Sequence, residues 1–225
     1  MIYPLKQLIG CELRCRASVL TGSVVGFLID DEAWALPYIS VQLPGEAQGA
    51  ARLLPSSAFP PIGDFNRQMP ACLTPEEVSH GLPLTGTCEE LTRNDQIALH
   101  DALHWQPYWF EYETWVPHPL HDAATAIGAR LSCSGEPFGV VEDLLVDTRR
   151  WTVHALRIKV TNACAGELVQ LSSSSIRSAN WRTKHFDCNG CAAATSDALA
   201  PMLRTRGETR LGQPRRRPSG RQTPA

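Results

Sequence analysis

The sequence predicts a mainly β protein in which two small β-barrels follow one another, joined by a short helical linker and followed by a disordered C-terminal tail. Three observations lead to this prediction. The chain repeats itself after 117 residues, the repeated unit alternates apolar and polar residues as a strand does, and helix signals are few. At 225 residues the chain is long enough for two small domains.

The internal repeat defines the structural unit. Residues 22–59 align with residues 139–176 without a gap, so that "FLIDDEAWALPYISV" in the first copy matches "LLVDTRRWTVHALRI" in the second. Because the whole unit has about 80 residues, it is large enough to be a small domain in its own right. The predicted segments are repeat 1 (1–85), a helical aromatic linker (86–117), repeat 2 (118–203) and a basic tail (204–225).

The match continues beyond this block with small changes of spacing. A shift of 118 pairs "IGCELRC" with "IGARLSC" near the start of each repeat. A shift of 116 near the end places Phe65 on Trp181 and Cys72 on Cys188. Equivalent places in two copies of one fold are expected to have equivalent surroundings.

Each repeat opens with a strand pattern. Apolar and polar residues alternate over residues 9–16, and the alternation recurs over residues 127–134. A period of two predicts a strand with one buried face and one solvated face.

Two further strands are predicted around an acidic turn at residues 30–32, because acidic side chains favour turn geometry. The apolar phase of the second strand changes soon after Trp34, and it changes at the same place after Trp151 in repeat 2. Pro37 lies at the change, which predicts a β-bulge there. Bulged and strongly coiled strands would let each short sheet close into a barrel.

Two capping boxes predict short helices. Thr74, Pro75 and Glu77 in "LTPEEV" have the spacing of a helix start, and Thr92 and Asp95 repeat this device in the linker. The apolar side of the linker helix is predicted to consist of Ile97, Leu99 and Leu103.

Charge is distributed unevenly along the chain. The net charge is −2, but residues 204–225 hold seven arginines and one glutamate, which is +6 and leaves −8 for the remainder. The low apolar content of this tail predicts disorder. Its charge would attract RNA or an anionic surface, or else the tail would fold back on the acidic body.

Two absences indicate the compartment. No apolar stretch approaches the roughly 20 residues of a membrane-spanning helix. The N-terminal "MIYPLKQLIG" lacks the basic and apolar regions of a signal peptide. We therefore expect a cytoplasmic location, with the eight cysteines reduced.

Histidines and cysteines are the candidate metal ligands. Two histidines lie four residues apart on the predicted linker helix, and one CxxC pair occurs near the end of repeat 2. A structural zinc usually takes two such cysteine pairs, and cysteines at equivalent repeat positions are more often small buried residues. A metal- or thiol-dependent sensor remains an alternative, although no residue is assigned as catalytic, cofactor-binding or metal-binding. The candidates are His100, His104, His118, His121, Cys188 and Cys191.

The acidic turn and two tryptophans are the other candidates. Residues 30–32, together with Asp147, could form an acid–base pair or a cation site, but capping of backbone amides in a tight turn is the preferred interpretation. Trp34 and Trp151 could form a binding face for an aromatic group or a nucleic-acid base. Their recurrence at the start of a core strand favours a packing role instead.

Several of these stretches together resemble the PRC-barrel family. They are the leading "LIG", the stretch "FLIDDEAWALPYISV", the strand ending "LLPSSAF" and the helix start "LTPEEV". The segment "LHDALHWQPYW" is similar to the aromatic linker of bacterial members with two copies. The family takes its name from the cytoplasmic barrel of the photosynthetic reaction centre H subunit, and a related barrel occurs in a bacterial ribosome-maturation factor.

The resemblance implies a non-enzymatic interaction or assembly module with a protein partner. Docking on a membrane, photosynthetic or electron-transport complex is implied by the H-subunit branch, at a location peripheral to the inner membrane. A ribosome- or RNA-associated maturation factor is the alternative implied by the other branch. The two barrels are expected to pack as a pseudo-twofold pair.

Overall fold

The computed structural model describes residues 1–16, 20–47, 50–63, 65–84, 91–104, 119–161, 166–189 and 195–196. The described chain is mainly β, which confirms the predicted class. The basic tail lies outside these residues. None of the described helices is both long and apolar enough to cross a membrane.

The described strands form one mixed sheet. They are β1 (Ile2–Pro4), β2 (Glu12–Arg14), β3 (Leu20–Asp30), β4 (Ala35–Gln42), β5 (Ala51–Pro55), β6 (Gln68–Pro70), β7 (Leu82–Leu84), β8 (Leu120–Asp122), β9 (Arg130–Cys133), β10 (Glu136–Asp147), β11 (Thr152–Val160), β12 (Leu168–Ser172), β13 (Ile176–Asn180), β14 (His185–Cys188) and β15 (Thr195–Ser196).

The helices are short. The α-helices are α1 (Leu5–Leu8), α2 (Pro75–Ser79) and α3 (Arg93–Leu103), and the 3-10 helices are Ser56–Ala58, Ala123–Ala126 and Ser173–Ser175. Both predicted capping boxes are confirmed. At α2, the Glu77 N–H donates to Thr74 Oγ1 at 3.2 Å and the Thr74 N–H donates to the Glu77 carboxylate at 2.7 Å. Thr92 and Asp95 cap α3 in the same way.

The two repeats share a strand order, to which repeat 2 adds the strand β13 at one end. Repeat 1 runs β6-β2-β3-β4-β5-β7 and repeat 2 runs β13-β14-β9-β10-β11-β12-β15. The pairs β2–β6 and β9–β14 are parallel in both, and the other neighbours within these two orders are antiparallel. Ala35 of β4 pairs with Thr152 of β11 and joins the two halves.

Neither half is closed by hydrogen bonds within the described residues, unlike the closed barrels that the sequence predicts. The order ends at β6 in repeat 1 and at β13 in repeat 2. At the opposite end of each half, β7 pairs with the outer edge of β5 and β15 pairs with the outer edge of β12. These are the edges that a closing strand would need.

The predicted bulge is confirmed in both repeats. Between β3 and β4 the register changes between the pairs at residues 28 and 30, which leaves Leu36 and Pro37 opposite Ile29 alone. Between β10 and β11 the corresponding change leaves His154 as the extra residue. Pro37 and His154 are equivalent under the 117-residue shift, so both copies bend at one place.

The repeats exchange their leading strands. β1 pairs with β10 of repeat 2, placing Tyr3 opposite Val146. β8 pairs with β3 of repeat 1, placing His121 opposite Ile29. These two pairs are equivalent under the repeat shift, so each half of the sheet holds a strand supplied by the other.

Two tryptophans are exchanged in the same way. Trp34 and Trp151 are 7% and 5% exposed, which confirms their predicted packing role, and both have a left-handed φ of 51° and 52°. The ring contacts are Trp34 with Trp181 and Phe186, and Trp151 with Phe27 and Phe59. The buried residues of both repeats therefore form one continuous core.

The linker helix α3 rests on repeat 1 through a largely polar face. Leu99 is buried as predicted, but Ile97 is 37% exposed. Gln96 and His100 are buried instead, and the Tyr38 hydroxyl lies 3.1 Å from both Gln96 Oε1 and His100 Nε2. The predicted apolar side is therefore wrong at Ile97, and the side chain of Leu103 lies outside the described part.

Candidate functional site

A cleft of about 720 Å³ lies where the acidic turn of repeat 1 faces the β13–β14 hairpin of repeat 2. We call it the inter-repeat cleft. It receives side chains from a turn, from the leading strand β8 and from the hairpin, so both repeats are needed to form it. The lining residues that matter here are Asp31, His121, Trp181, Arg182, His185 and Asp187.

Three of these side chains bridge the two repeats. The Trp181 indole N–H donates to Asp31 Oδ2 at 2.6 Å. The His121 ring stacks on Trp181 with centroids 4.7 Å apart and planes 10° apart, and its Nε2 lies 3.9 Å from the same carboxylate oxygen. The indole and imidazole therefore form one wall of the cleft, and Asp31 fixes its position relative to repeat 1.

The hairpin supplies a second polar group. His185 Nε2 lies 2.9 Å from Ser132 Oγ and 3.6 Å from Asp187 Oδ1. The Ser178 hydroxyl donates to Asp187 Oδ2 at 3.3 Å. Because each carboxylate of the cleft already accepts a hydrogen bond, both carboxylates are held in place before a ligand arrives.

The pseudo-symmetry of the fold provides an internal comparison for this site. The equivalent residues at the other junction are Tyr3, Phe65 and Thr148, in place of His121, Trp181 and Asp31. Tyr3 and Phe65 pack with centroids 5.2 Å apart, the Tyr3 hydroxyl donates to the Gly63 carbonyl, and Thr148 is fully buried. The fold is thus satisfied by uncharged residues at these three positions, and it does not require the charged and aromatic set of the cleft.

The acidic turn has the structural role that the sequence predicts. Asp30 Oδ1 accepts the N–H groups of Glu32 at 3.1 Å and Ala33 at 3.4 Å. In repeat 2, Asp147 Oδ1 accepts the Arg149 N–H at 3.0 Å. Asp31 has the different role described above, which the sequence reasoning missed.

The four candidate histidines do not come together within the described residues. His100 is buried against Tyr38, His104 is exposed at the C-terminal end of α3, and His121 lies in the cleft. His118 lies outside the described part. No group of three or more His, Cys, Asp or Glu side chains in that part is arranged to hold a metal ion.

The described thiols are mostly buried. Cys11, Cys15 and Cys188 are free, and burial raises the pKa of each, which disfavours the reactive thiolate. Cys133, opposite Cys188 in the β9–β14 pair, is disulfide-bonded, so the expectation of reduced cysteines is wrong there. Cys191 lies outside the described residues.

The predicted equivalence of Cys72 and Cys188 is wrong. Cys72 is exposed and lies after β6, whereas Cys188 is buried on β14. The backbone carbonyls of Arg67 and Lys184 accept equivalent hydrogen bonds, both at 2.9 Å, which restores a shift of 117 at this point. Repeat 2 therefore has one more residue between Trp181 and β14 than repeat 1 has between Phe65 and β6.

Arg182, His185 and Asp187 are not among the site residues predicted from the sequence. A signal was nevertheless present, because the two copies differ in residue type at positions that line the cleft. Asp31 replaces a threonine, and Trp181 replaces a phenylalanine.

No family model matches the chain, and no curated protein has significant similarity to it.

Proposed function

We propose that this chain is a non-enzymatic interaction and assembly module, built from two PRC-type barrels, which binds a protein partner at the inter-repeat cleft. One observation carries the proposal. Of two equivalent junctions between the repeats, one packs Tyr3 against Phe65 beside a buried Thr148, and the other presents aromatic, basic and acidic groups around an open cleft. A difference that the fold does not need is best explained by binding.

The chemistry of the cleft fits recognition of a polypeptide. Arg182 is exposed at its rim, and His185 presents a half-exposed imidazole beside it. The Trp181–His121 stack provides a flat wall that is fixed from both sides. Aromatic and arginine side chains on a preorganised surface are typical of protein interfaces.

The barrel assignment is supported by the duplicated strand order and by the bulge that recurs at Pro37 and His154. The PRC-barrel resemblance supports a membrane-bound photosynthetic or electron-transport complex as the class of partner. A cytoplasmic module at the inner membrane surface is the corresponding location.

The proposal is tested by affinity capture from the native host followed by mass spectrometry. The cleft variant Arg182→Glu/His185→Ala is compared with Arg150→Glu/His154→Ala, which changes the same residue types at exposed positions elsewhere on repeat 2. We expect a stoichiometric protein partner that is lost only from the cleft variant.

Two results would contradict this expectation. Equal recovery of the same partner by both variants would remove the cleft from the interaction. Recovery of ribosomal proteins that depends on residues 204–225 and on low salt would favour the RNA-associated alternative.

A further inference from the structure

The edge strand β13 borders the cleft and has no second strand neighbour within the described residues. It pairs with β14 on one side only. In repeat 1 the equivalent stretch contains Pro60 and Pro61 and forms no strand. Proline lacks the N–H donor that strand pairing requires and commonly protects sheet edges, so among the described residues repeat 1 has no strand at the place that β13 occupies in repeat 2.

The side chains of β13 leave this edge accessible. Ile176 and Ala179 pack against the core, whereas Arg177, Ser178 and Asn180 are exposed. The C-terminal half of the strand lines the cleft. An extended chain added along β13 would therefore run directly into the cleft.

The surface around this edge is cationic. Four exposed cations at this end of repeat 2 form no ion pair with other described residues, and they contrast with the net negative charge of the whole chain. Two carboxylates, Asp31 and Asp187, also line the cleft, and the four basic side chains outnumber them. The cations are Arg130, Arg177, Arg182 and Lys184.

We propose that an extended acidic segment of the partner protein adds to the sheet as a strand along β13. Backbone hydrogen bonds to the open edge would supply affinity, and carboxylates facing Arg177 and Arg182 would supply specificity and a faster association. The cleft would take one side chain of the segment. This inference rests on the proposed function, for which it names the chemistry of the partner.

The test measures binding of two fluorescent peptides to the full chain. One is an alternating acidic peptide, acetyl-EVETEVETE-amide, and the other is acetyl-EPETEPETE-amide, which has the same charge but cannot pair as a strand. We expect the first peptide to bind about tenfold more tightly than the second, and to protect the amides of residues 176–180 from hydrogen exchange.

Charge-reversal variants test the second part of the proposal. Arg177→Glu/Arg182→Glu should weaken binding of the first peptide about tenfold or more. The matched variant Arg150→Glu/Lys159→Glu has the same change of charge at exposed positions away from β13, and it should weaken binding by about threefold or less.

Three results would overturn strand addition. They are equal affinity for the two peptides, absence of binding at millimolar peptide, and displacement of the first peptide by an oligouridylate of equal charge that binds more tightly.

The failure of this inference is distinguishable from the failure of the proposed function. If the cleft variant loses a captured partner while the two peptides bind equally, the module function stands and strand addition is wrong. If the peptides differ as expected while both capture variants retain the same partner, strand addition stands and the proposed role of the cleft is wrong.

Discussion

At the scale of single residues, Trp34 and Trp151 occupy equivalent places but differ in one hydrogen bond. The Trp151 indole N–H donates to the Phe59 carbonyl at 3.0 Å. No described residue accepts a hydrogen bond from the Trp34 indole. Both residues have the same left-handed backbone, so any strain from that conformation is matched between them.

This difference predicts unequal effects of one substitution. Trp151→Phe should lower the free energy of unfolding by about 1–2 kcal/mol more than Trp34→Phe does, because it leaves the buried Phe59 carbonyl without its donor. Urea denaturation of the two variants measures the difference. Equal losses would show that the hydrogen bond contributes nothing net.

Asp143 is a buried carboxylic acid on β10. Burial raises its pKa, although hydrogen bonds from the backbone N–H groups of Lys6 at 3.3 Å and Leu144 at 2.9 Å act in the opposite direction. The ionised form is therefore less favourable in the folded protein than in the unfolded chain.

The sign of this shift gives a pH prediction. With a raised folded pKa, the contribution of Asp143 to stability falls as the pH rises above the ordinary aspartate pKa of about 4 and through the folded pKa. Asp143→Asn should remove this decrease. The stability of the variant relative to the natural protein should therefore rise between acidic and neutral pH. Thermal unfolding at a series of pH values measures this, and parallel curves for the two proteins would contradict it.

At the scale of elements, Gly22 and Gly139 lie where the backbone of the neighbouring strand leaves no room for a Cβ atom. A Cβ at Gly22 would lie 2.4 Å from the Gln42 carbonyl oxygen, and one at Gly139 would lie 2.6 Å from the Lys159 carbonyl oxygen. Two backbone atoms cannot be displaced as a flexible side chain can. This close approach explains why both copies have glycine at the start of the repeated block.

Alanine at either position should destabilise the protein. We expect Gly22→Ala and Gly139→Ala each to lower the free energy of unfolding by about 1–3 kcal/mol, because β3–β4 and β10–β11 must move apart. Gly63→Ala is the control, since a Cβ there meets nothing within 4 Å. Equal denaturation midpoints for all three variants would contradict the expected clash.

Local patterns predicted most elements but not their long-range partners. The period of two, the capping boxes and the phase change at Pro37 depend on neighbours in sequence. The capping boxes and the bulge are confirmed, whereas the strands predicted over residues 9–16 and 127–134 are shorter in the structure, at Glu12–Arg14 and Arg130–Cys133. The exchange of β1 and β8 could not be predicted, because these three-residue strands carry too little pattern to specify a distant partner. The buried face of α3 was missed at His100, because its burial depends on the Tyr38 hydroxyl rather than on apolar periodicity.

At the scale of the whole molecule, the exchanged strands and tryptophans make each repeat depend on the other. Leu13 and Leu131 are equivalent core residues in the two repeats and are almost fully buried. Because the core is continuous, loss of packing in one repeat should weaken the other.

The prediction is a single unfolding transition for the described body. Leu13→Ala and Leu131→Ala should each lower its stability by about 2–5 kcal/mol and shift the same calorimetric peak. Two peaks, with each substitution moving only one of them, would show that the repeats unfold independently.

The inter-repeat cleft belongs to this same scale, which is why sequence reasoning found its parts but not the site. Asp31 and Trp181 are 150 residues apart in the chain and meet only because the repeats pack against each other. The sequence predicts a turn at Asp31 and offers His121 as a candidate metal ligand. Nothing local to either residue indicates that they share a wall of one cleft.

Because one chain contains both of the equivalent junctions, substitutions can change one junction without changing the other. In a symmetric dimer of identical subunits, a substitution at the turn would change both junctions at once. Here the two junctions are encoded separately, so one can remain a packed seam of Tyr3, Phe65 and Thr148 while the other acquires charge. A single gene with two copies of the fold can therefore specialise one side without loosening the other.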